Sequence, residues 1–218
     1  MASEFTLHGS PHSQFTYKVA LMLRLAGVAF TFRYVSFQKG MQRTPEFRAL
    51  SRWGQVPVLE HRGRALCQSG AILEYLAETL GVFGARDMPG RQRIREWLYW
   101  NADRLAPPIS GCYGVKLGER KLLPIAFDPA IAASFRHRAG VALTALDANL
   151  AGSAFVAADT PTIADIACYG DVAFAALAEI DLEGWDAIGR WSERIARLPG
   201  FRAPFDLLTM ADAKISPA

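Results

Sequence analysis

Residues 54–81 read GQVPVLEHRGRALCQSGAILEYLAETLG, and strand, turn and helix can be told apart within them. Val56 to Glu60 is a short run of strand-forming residues. The turn His61-Arg62-Gly63-Arg64 leads into a second strand, Ala65 to Cys67. Ile72, Leu73, Leu76, Ala77 and Leu80 then mark one face of a helix begun by Ser69 and ended by Gly81. Strands joined by so tight a turn pair antiparallel. The helix that follows packs its apolar face on them.

Working outward, Glu4 to His8 alternates, with Phe5 and Leu7 on one face, and reads as a strand. Phe15, Val19, Met22, Leu23 and Ala26 fall at helical spacing, with Ser13 placed as N-cap and Gly27 closing the helix. Phe30, Phe32 and Tyr34 alternate as another strand. Met41 to Leu50 holds Thr44-Pro45, a start signal for one short helical turn. Strand–helix–strand implies a parallel pair. The front of the chain is therefore a small mixed sheet in the order βαβαββα.

Residues 81–90, GVFGARDMPG, are rich in Gly and Pro and read as a linker. Beyond them only helical periods occur. Ile94, Trp97, Leu98 and Leu105 form one face, which Pro107-Pro108 kinks or interrupts. Asp128-Pro129 opens a helix carrying Ala132, Phe135, Ala139, Leu143, Leu146 and Leu150. Thr162 and Asp165 have capping-box spacing before a helix of small apolar residues. A last helix carries Ile188, Trp191, Ile195 and Leu198. The fold class is α/β plus all-α, with domains at 1–81 and 91–218 and a linker at 82–90.

Bulk properties narrow the function classes. The chain has 218 residues, 51% of them hydrophobic and 21% charged, which is ordinary globular usage. The net charge of +3, with Lys and Arg scattered among acids, is too mild for a nucleic-acid partner. Three widely spaced cysteines, Cys67, Cys112 and Cys168, argue against a disulfide framework or zinc ribbon and fit a reducing compartment. The start lacks a secretory pattern and no apolar run has membrane-span length, so the expectation is a cytoplasmic protein with no membrane partner. His8, His12, His61 and His137 have no metal-ligand spacing. There is no G-x-S-x-G for a serine hydrolase.

Three local features can carry chemistry. Ser10-Pro11-His12-Ser13 lies between the first strand and the first helix, where hydroxyls meet free N–H groups and the positive end of the helix dipole. Gln55-Val56-Pro57 begins a strand; a cis bond there would turn the backbone groups of Val56 toward an extended peptide. Gln68-Ser69 opens another helix, whose first N–H groups can hold a carboxylate. Each has a plainer reading: a capping serine, an edge-strand proline, a second cap.

Taken in order, SPHSQFTYKVAL, GQVPVLE, QSGAILEYLAE and PTIADI resemble the glutathione transferase superfamily. The resemblance is strongest over 5–81 and 161–174. It implies a thioredoxin-like first domain that binds glutathione as co-substrate, with no prosthetic group, and a helical domain that supplies much of the second-substrate pocket. By the same resemblance Ser13 donates to the glutathione sulfur, with Ser10 as a competing hydroxyl. Val56 and Pro57 form the cis-proline turn that pairs with the cysteinyl part. Gln55 is a glutathione contact, Gln68 and Ser69 hold the γ-glutamyl end, and Thr162 with Asp165 is a structural cap. His12, Trp100 and Tyr113 are candidates for the second-substrate pocket. The implied activity is thiolate attack on a small hydrophobic electrophile, a detoxification-type reaction, in a homodimer. A glutathione-binding protein with little turnover and a structural dimerisation module are the alternatives. Two positions depart from the pattern: Gln68 stands where many members carry an acid, and Ser51-Arg52-Trp53 replaces Asn-Pro-x.

Overall fold

The computed structural model describes residues 4–123 and 126–217; residues 1–3, 124–125 and 218 of the expected domain ranges lie outside them. Contacts divide the chain into two units, Met1–Val82 with Leu198–Ala218, and Phe83–Arg197.

The first unit is built on β1 (Phe5–Gly9), α1 (Gln14–Leu25), β2 (Phe30–Tyr34), α2 (Pro45–Leu50), β3 (Val58–His61), β4 (Arg64–Cys67) and α3 (Ser69–Leu80). β1 pairs parallel with β2 and antiparallel with β3, and β3 pairs antiparallel with β4. Alternation sets the two faces: Phe5, Leu7, Phe30 and Phe32 are buried, whereas Thr6, His8 and Thr31 are partly open. α2 is tied down by Phe47, which packs with Val35 and Val58 in a small cluster that also holds Val56 and Cys67. Burying one such aromatic ring contributes about 1.5–3 kcal/mol.

A fifth strand was absent from the sequence reading. After α9 (Pro204–Leu207), β5 (Ala213–Ile215) pairs antiparallel with β2, giving the order β4-β3-β1-β2-β5. The edge of β2 has unpaired N–H and C=O groups, and a three-residue segment suffices to use them. Arg24 reaches the carbonyls of Gly200 and Ser216, the Tyr17 hydroxyl donates to Arg202 O at 2.8 Å, and Arg33 pairs with Asp212. The tail that sequence reasoning assigned to the helical domain is thus strapped to the sheet.

The second unit holds α4 (Met88–Trp100), α5 (Ala106–Glu119), α6 (Pro129–Ala151), α7 (Ile163–Val172) and α8 (Asp186–Ala196). Asp87 caps α4, so this helix takes in the last residues of the expected linker. Pro107-Pro108 does not interrupt the helical run. Residues Asn101–Leu105 widen into a π-turn, in which the Ala106 N–H donates five residues back to Asn101 O. The wider turn absorbs the two donors that the prolines lack, and α5 continues. Asn101 is fixed from the side by the buried Asp171, with Nδ2 to Oδ2 at 2.6 Å.

The buried Asp165 carboxylate organises the start of α7. It accepts from Val156 N, Thr162 N, Thr162 Oγ1 and Trp191 Nε1, while Thr162 Oγ1 accepts from Ala164 N. Burial pushes the carboxyl above its ordinary range, and these donors pull it back. Asp165→Ala leaves buried donors unpaired and removes a cap. The expected loss is roughly 2–4 kcal/mol of stability in urea denaturation, whereas Asp186→Ala at the start of α8 changes little.

Candidate active site

Register alone brings the three candidate loops together. His8 pairs with Val58, and Val58 pairs with Cys67. The loop after β1, the loop before β3 and the turn after β4 therefore leave the sheet at the same end. Ser10 to Ser13, Gln55 to Pro57, and Gln68 with Ser69 are the residues of those loops.

The first loop is shaped by a close approach. A Cβ on Gly9 would lie 2.2 Å from Thr16 Cγ2, so only glycine lets β1 pass the first turn of α1. Thr16 Oγ1 then accepts from Ser10 N, and Ser13 N donates to Ser10 O at 3.0 Å. Ser13 is the N-cap of α1, with Oγ accepting from Thr16 N at 3.2 Å. A hydroxyl that accepts from the backbone keeps its own proton for an outside acceptor. Ser10 Oγ also accepts, from His12 N. Exposure separates the two: Ser13 is 7% exposed and Ser10 1%.

The Val56–Pro57 peptide bond is cis. Gln55 is clamped by a residue that sequence reasoning noted only as a departure: the fully buried Ser51 donates its hydroxyl to Gln55 O at 2.8 Å and accepts from Gln55 N at 3.0 Å. A serine four residues before a cis-proline turn is the signal that could have been read. Gln68 is the N-cap residue of α3, held at φ 69°. Its side chain makes no bond to the helix; instead Nε2 donates to Gln55 Oε1 at 3.1 Å. The two glutamines thus meet across the mouth of the site. The first N–H groups of α3 keep their capacity for an anion.

His12 packs edge-on against Phe205 of α9, with ring centroids 5.4 Å apart. Burial lowers its pKa, so the imidazole beside Ser13 is neutral at pH 7. Trp100 and Tyr113 belong to the other unit. Trp100 packs edge-on against Trp97, and Tyr113 is buried against Phe174, which pushes its hydroxyl up to about 12. A groove of about 910 Å³ between α5 and α6 is lined by residues such as Val115, Lys116, Arg136 and Val141, and by neither Trp100 nor Tyr113. Cys112 and Cys168 are buried and Cys67 is half-buried, all three as free thiols. Among the described residues no group of three His, Cys, Asp or Glu is placed to hold a metal, and no helix is long and apolar enough to cross a membrane.

This geometry has known counterparts. Residues 12–79 match the family described as "Glutathione S-transferase, N-terminal domain". Maleylacetoacetate isomerase of Rhizobium meliloti is 30% identical over 93% of this chain and 96% of its own length. A crystal structure described as a possible glutathione S-transferase from Rhodopseudomonas palustris superimposes with a TM-score of 0.81 at 31% identity, covering 93% of this chain and 98% of that one. The chain belongs to the glutathione S-transferase superfamily. Its fold, a thioredoxin-like sheet unit with a helical unit, is that of the superfamily. The relatives are functionally mixed: disulfide-bond oxidoreductase YfcG of Escherichia coli is 28% identical over 84% of this chain and 86% of its own length.

A pH effect follows from His12. Below about pH 6.5 the unfolded chain binds a proton that folded His12 takes up only at lower pH. Its contribution to stability is therefore full above the ordinary histidine value and falls as pH drops through it. Comparing melting temperatures at pH 8 and pH 5 should show a smaller drop for His12→Asn than for the unmodified protein.

Proposed function

We propose that the protein is a glutathione transferase in which Ser13 holds the glutathione sulfur as a thiolate for attack on a small electrophile. The observation that carries this reading is the state of the Ser13 hydroxyl. It caps α1 by accepting from Thr16 N, so its proton is left to point at a bound sulfur. Taking a thiol from about pKa 8.5 to about 6.5 requires roughly 2.7 kcal/mol of thiolate preference. A hydrogen bond to a charged group contributes about 1.5–3 kcal/mol, and the N-terminus of α1 adds roughly 0.3–1 kcal/mol. The two terms suffice without a general base.

The remaining contacts of the reading are Val56 for the cysteinyl backbone, Gln55 beside it, and Gln68 with Ser69 for the γ-glutamyl carboxylate. The α3 N-terminus supports the last of these, because the Gln68 side chain leaves it uncapped. His12, Trp100 and Tyr113 remain the proposed second-substrate residues, and the assembly is proposed to be a homodimer. The isomerase relative favours electrophiles with an activated double bond, to which a thiolate adds and from which it leaves again.

A second reading is favoured by the oxidoreductase relative. Ser13 cannot form a mixed disulfide, but the thiolate it stabilises can attack a disulfide bond, forming one S–S bond to glutathione and releasing the other sulfur as a thiolate. Assays with a model electrophile and with a model disulfide separate the two readings. Under either, Ser13→Ala is expected to lower kcat about ten- to a hundredfold, the cost of one charged hydrogen bond. Glutathione affinity at pH 7 should fall only about three- to fourfold, the linked cost of losing the ionised form. An unchanged kcat would transfer the role to Ser10 or to the backbone.

A further inference from the structure

The two departures from the superfamily pattern, at Ser51 and at Gln68, are joined in the folded chain through Gln55. Ser51 is fully buried, and its N–H, carbonyl and hydroxyl are all engaged. The N–H donates to Phe47 O at 2.8 Å and closes α2, and the carbonyl accepts from Gly54 N at 2.8 Å. The hydroxyl donates to Gln55 O and accepts from Gln55 N. One side-chain atom thus holds both backbone polar groups of Gln55. A hydroxyl donates and accepts through a single oxygen; an aliphatic side chain does neither, and a thiol does both weakly.

The clamp is anchored at both ends. On the α2 side, Phe47 packs in the cluster that also holds Val58 and Val56. On the loop side, Gly54 at φ +63° brings the chain so close to Gln42 O that a Cβ would lie 2.9 Å from it. Turning Gln55 about its backbone would break two hydrogen bonds, so its exposed side chain leaves the loop in a fixed direction. That direction is toward α3, where Gln55 Oε1 accepts from Gln68 Nε2 at 3.1 Å. The bridge decides which end of each amide is left for a ligand. Gln55 keeps its NH2 group as a donor, and Gln68 keeps its carbonyl oxygen as an acceptor.

We infer that Ser51 is a positioning residue for glutathione, acting through Gln55 on Gln68 and on the adjoining Val56 backbone. The inference rests on the glutathione reading above. It adds that the hydroxyl at position 51 sets the affinity for the tripeptide and not the state of its sulfur. Ligand contacts hold their geometry only when the groups behind them are fixed, and here a single oxygen does the fixing. The sulfur is served by Ser13 on a separate loop, so losing the clamp weakens binding and leaves the thiolate as it was. A buried serine that merely completed its turn would affect stability without coupling to the Gln55 side chain.

The test is calorimetric titration with glutathione, with the pKa of the bound thiol followed by ultraviolet absorbance. The chains compared are the unmodified protein, Ser51→Ala, Gln55→Ala and the double variant. Ser51→Ala should bind about tenfold more weakly, with the bound thiol pKa unchanged to within about 0.3. Gln55→Ala should cost severalfold in the unmodified background and less than about twofold beside Ser51→Ala, because an unclamped Gln55 has already lost its place. Ser51→Cys keeps the buried space filled and serves if the alanine variant does not fold; its weak thiol hydrogen bonds should still lose severalfold in affinity. A circular-dichroism melt of each variant shows whether it is folded. Additive losses in the cycle overturn the proposal, as does unchanged affinity in a folded Ser51→Ala or Ser51→Cys. A bound thiol pKa that rises in Ser51→Ala also overturns it, because Ser51 would then act on the sulfur. An unmodified chain that binds no glutathione at millimolar concentration overturns the underlying reading as well, an outcome distinct from a site that binds and is indifferent to Ser51.

Discussion

Strand β3 pairs on both its edges, and the site depends on that pairing. Val58 is opposite His8 on one side and Cys67 on the other. This register sends the loop after β1, the cis-proline turn and the start of α3 to one end of the sheet. A slip of one residue would turn Leu59 and Leu7 away from the core and carry the loops out of line. Buried Val58 and Leu59 make that slip costly.

Two helix N-termini follow from the same topology. α1 begins after β1 and α3 begins after β4, each twelve residues long, and both present positive dipole ends at that edge. The caps differ. Ser13 uses its oxygen on Thr16 and keeps a proton to give, which suits a sulfur anion. The Gln68 side chain makes no bond to the helix and turns toward Gln55, which leaves backbone donors for a carboxylate. A short peptide with a thiol in the middle and a carboxylate at one end matches this arrangement.

Much of this was legible in the sequence where local signals agreed. Alternation gave β1 and β2, and a strand-forming run with the tight turn after His61 gave β3 and β4. Ser13, Asp128 and Thr162 announced helix starts by capping chemistry that depends on neighbours within a few residues. What escaped is non-local or contradicts a local rule. β5 is three residues with no periodicity of its own and exists because β2 has a free edge. Pro107-Pro108 reads as a break, yet a π-turn held by Asn101 and Asp171 makes room for it. The double hydrogen bond from Ser51 to Gln55 becomes visible only once the turn is closed.

The central claim is that this end of the sheet binds glutathione and holds its sulfur ionised. Calorimetric titration with glutathione at pH 7, repeated in buffers of different ionisation enthalpy, counts the protons released on binding. A shift of the thiol from about 8.5 to about 6.5 predicts release of roughly three-quarters of a proton per site. Binding with no proton release would contradict thiolate activation, and no binding at millimolar glutathione would contradict the site itself.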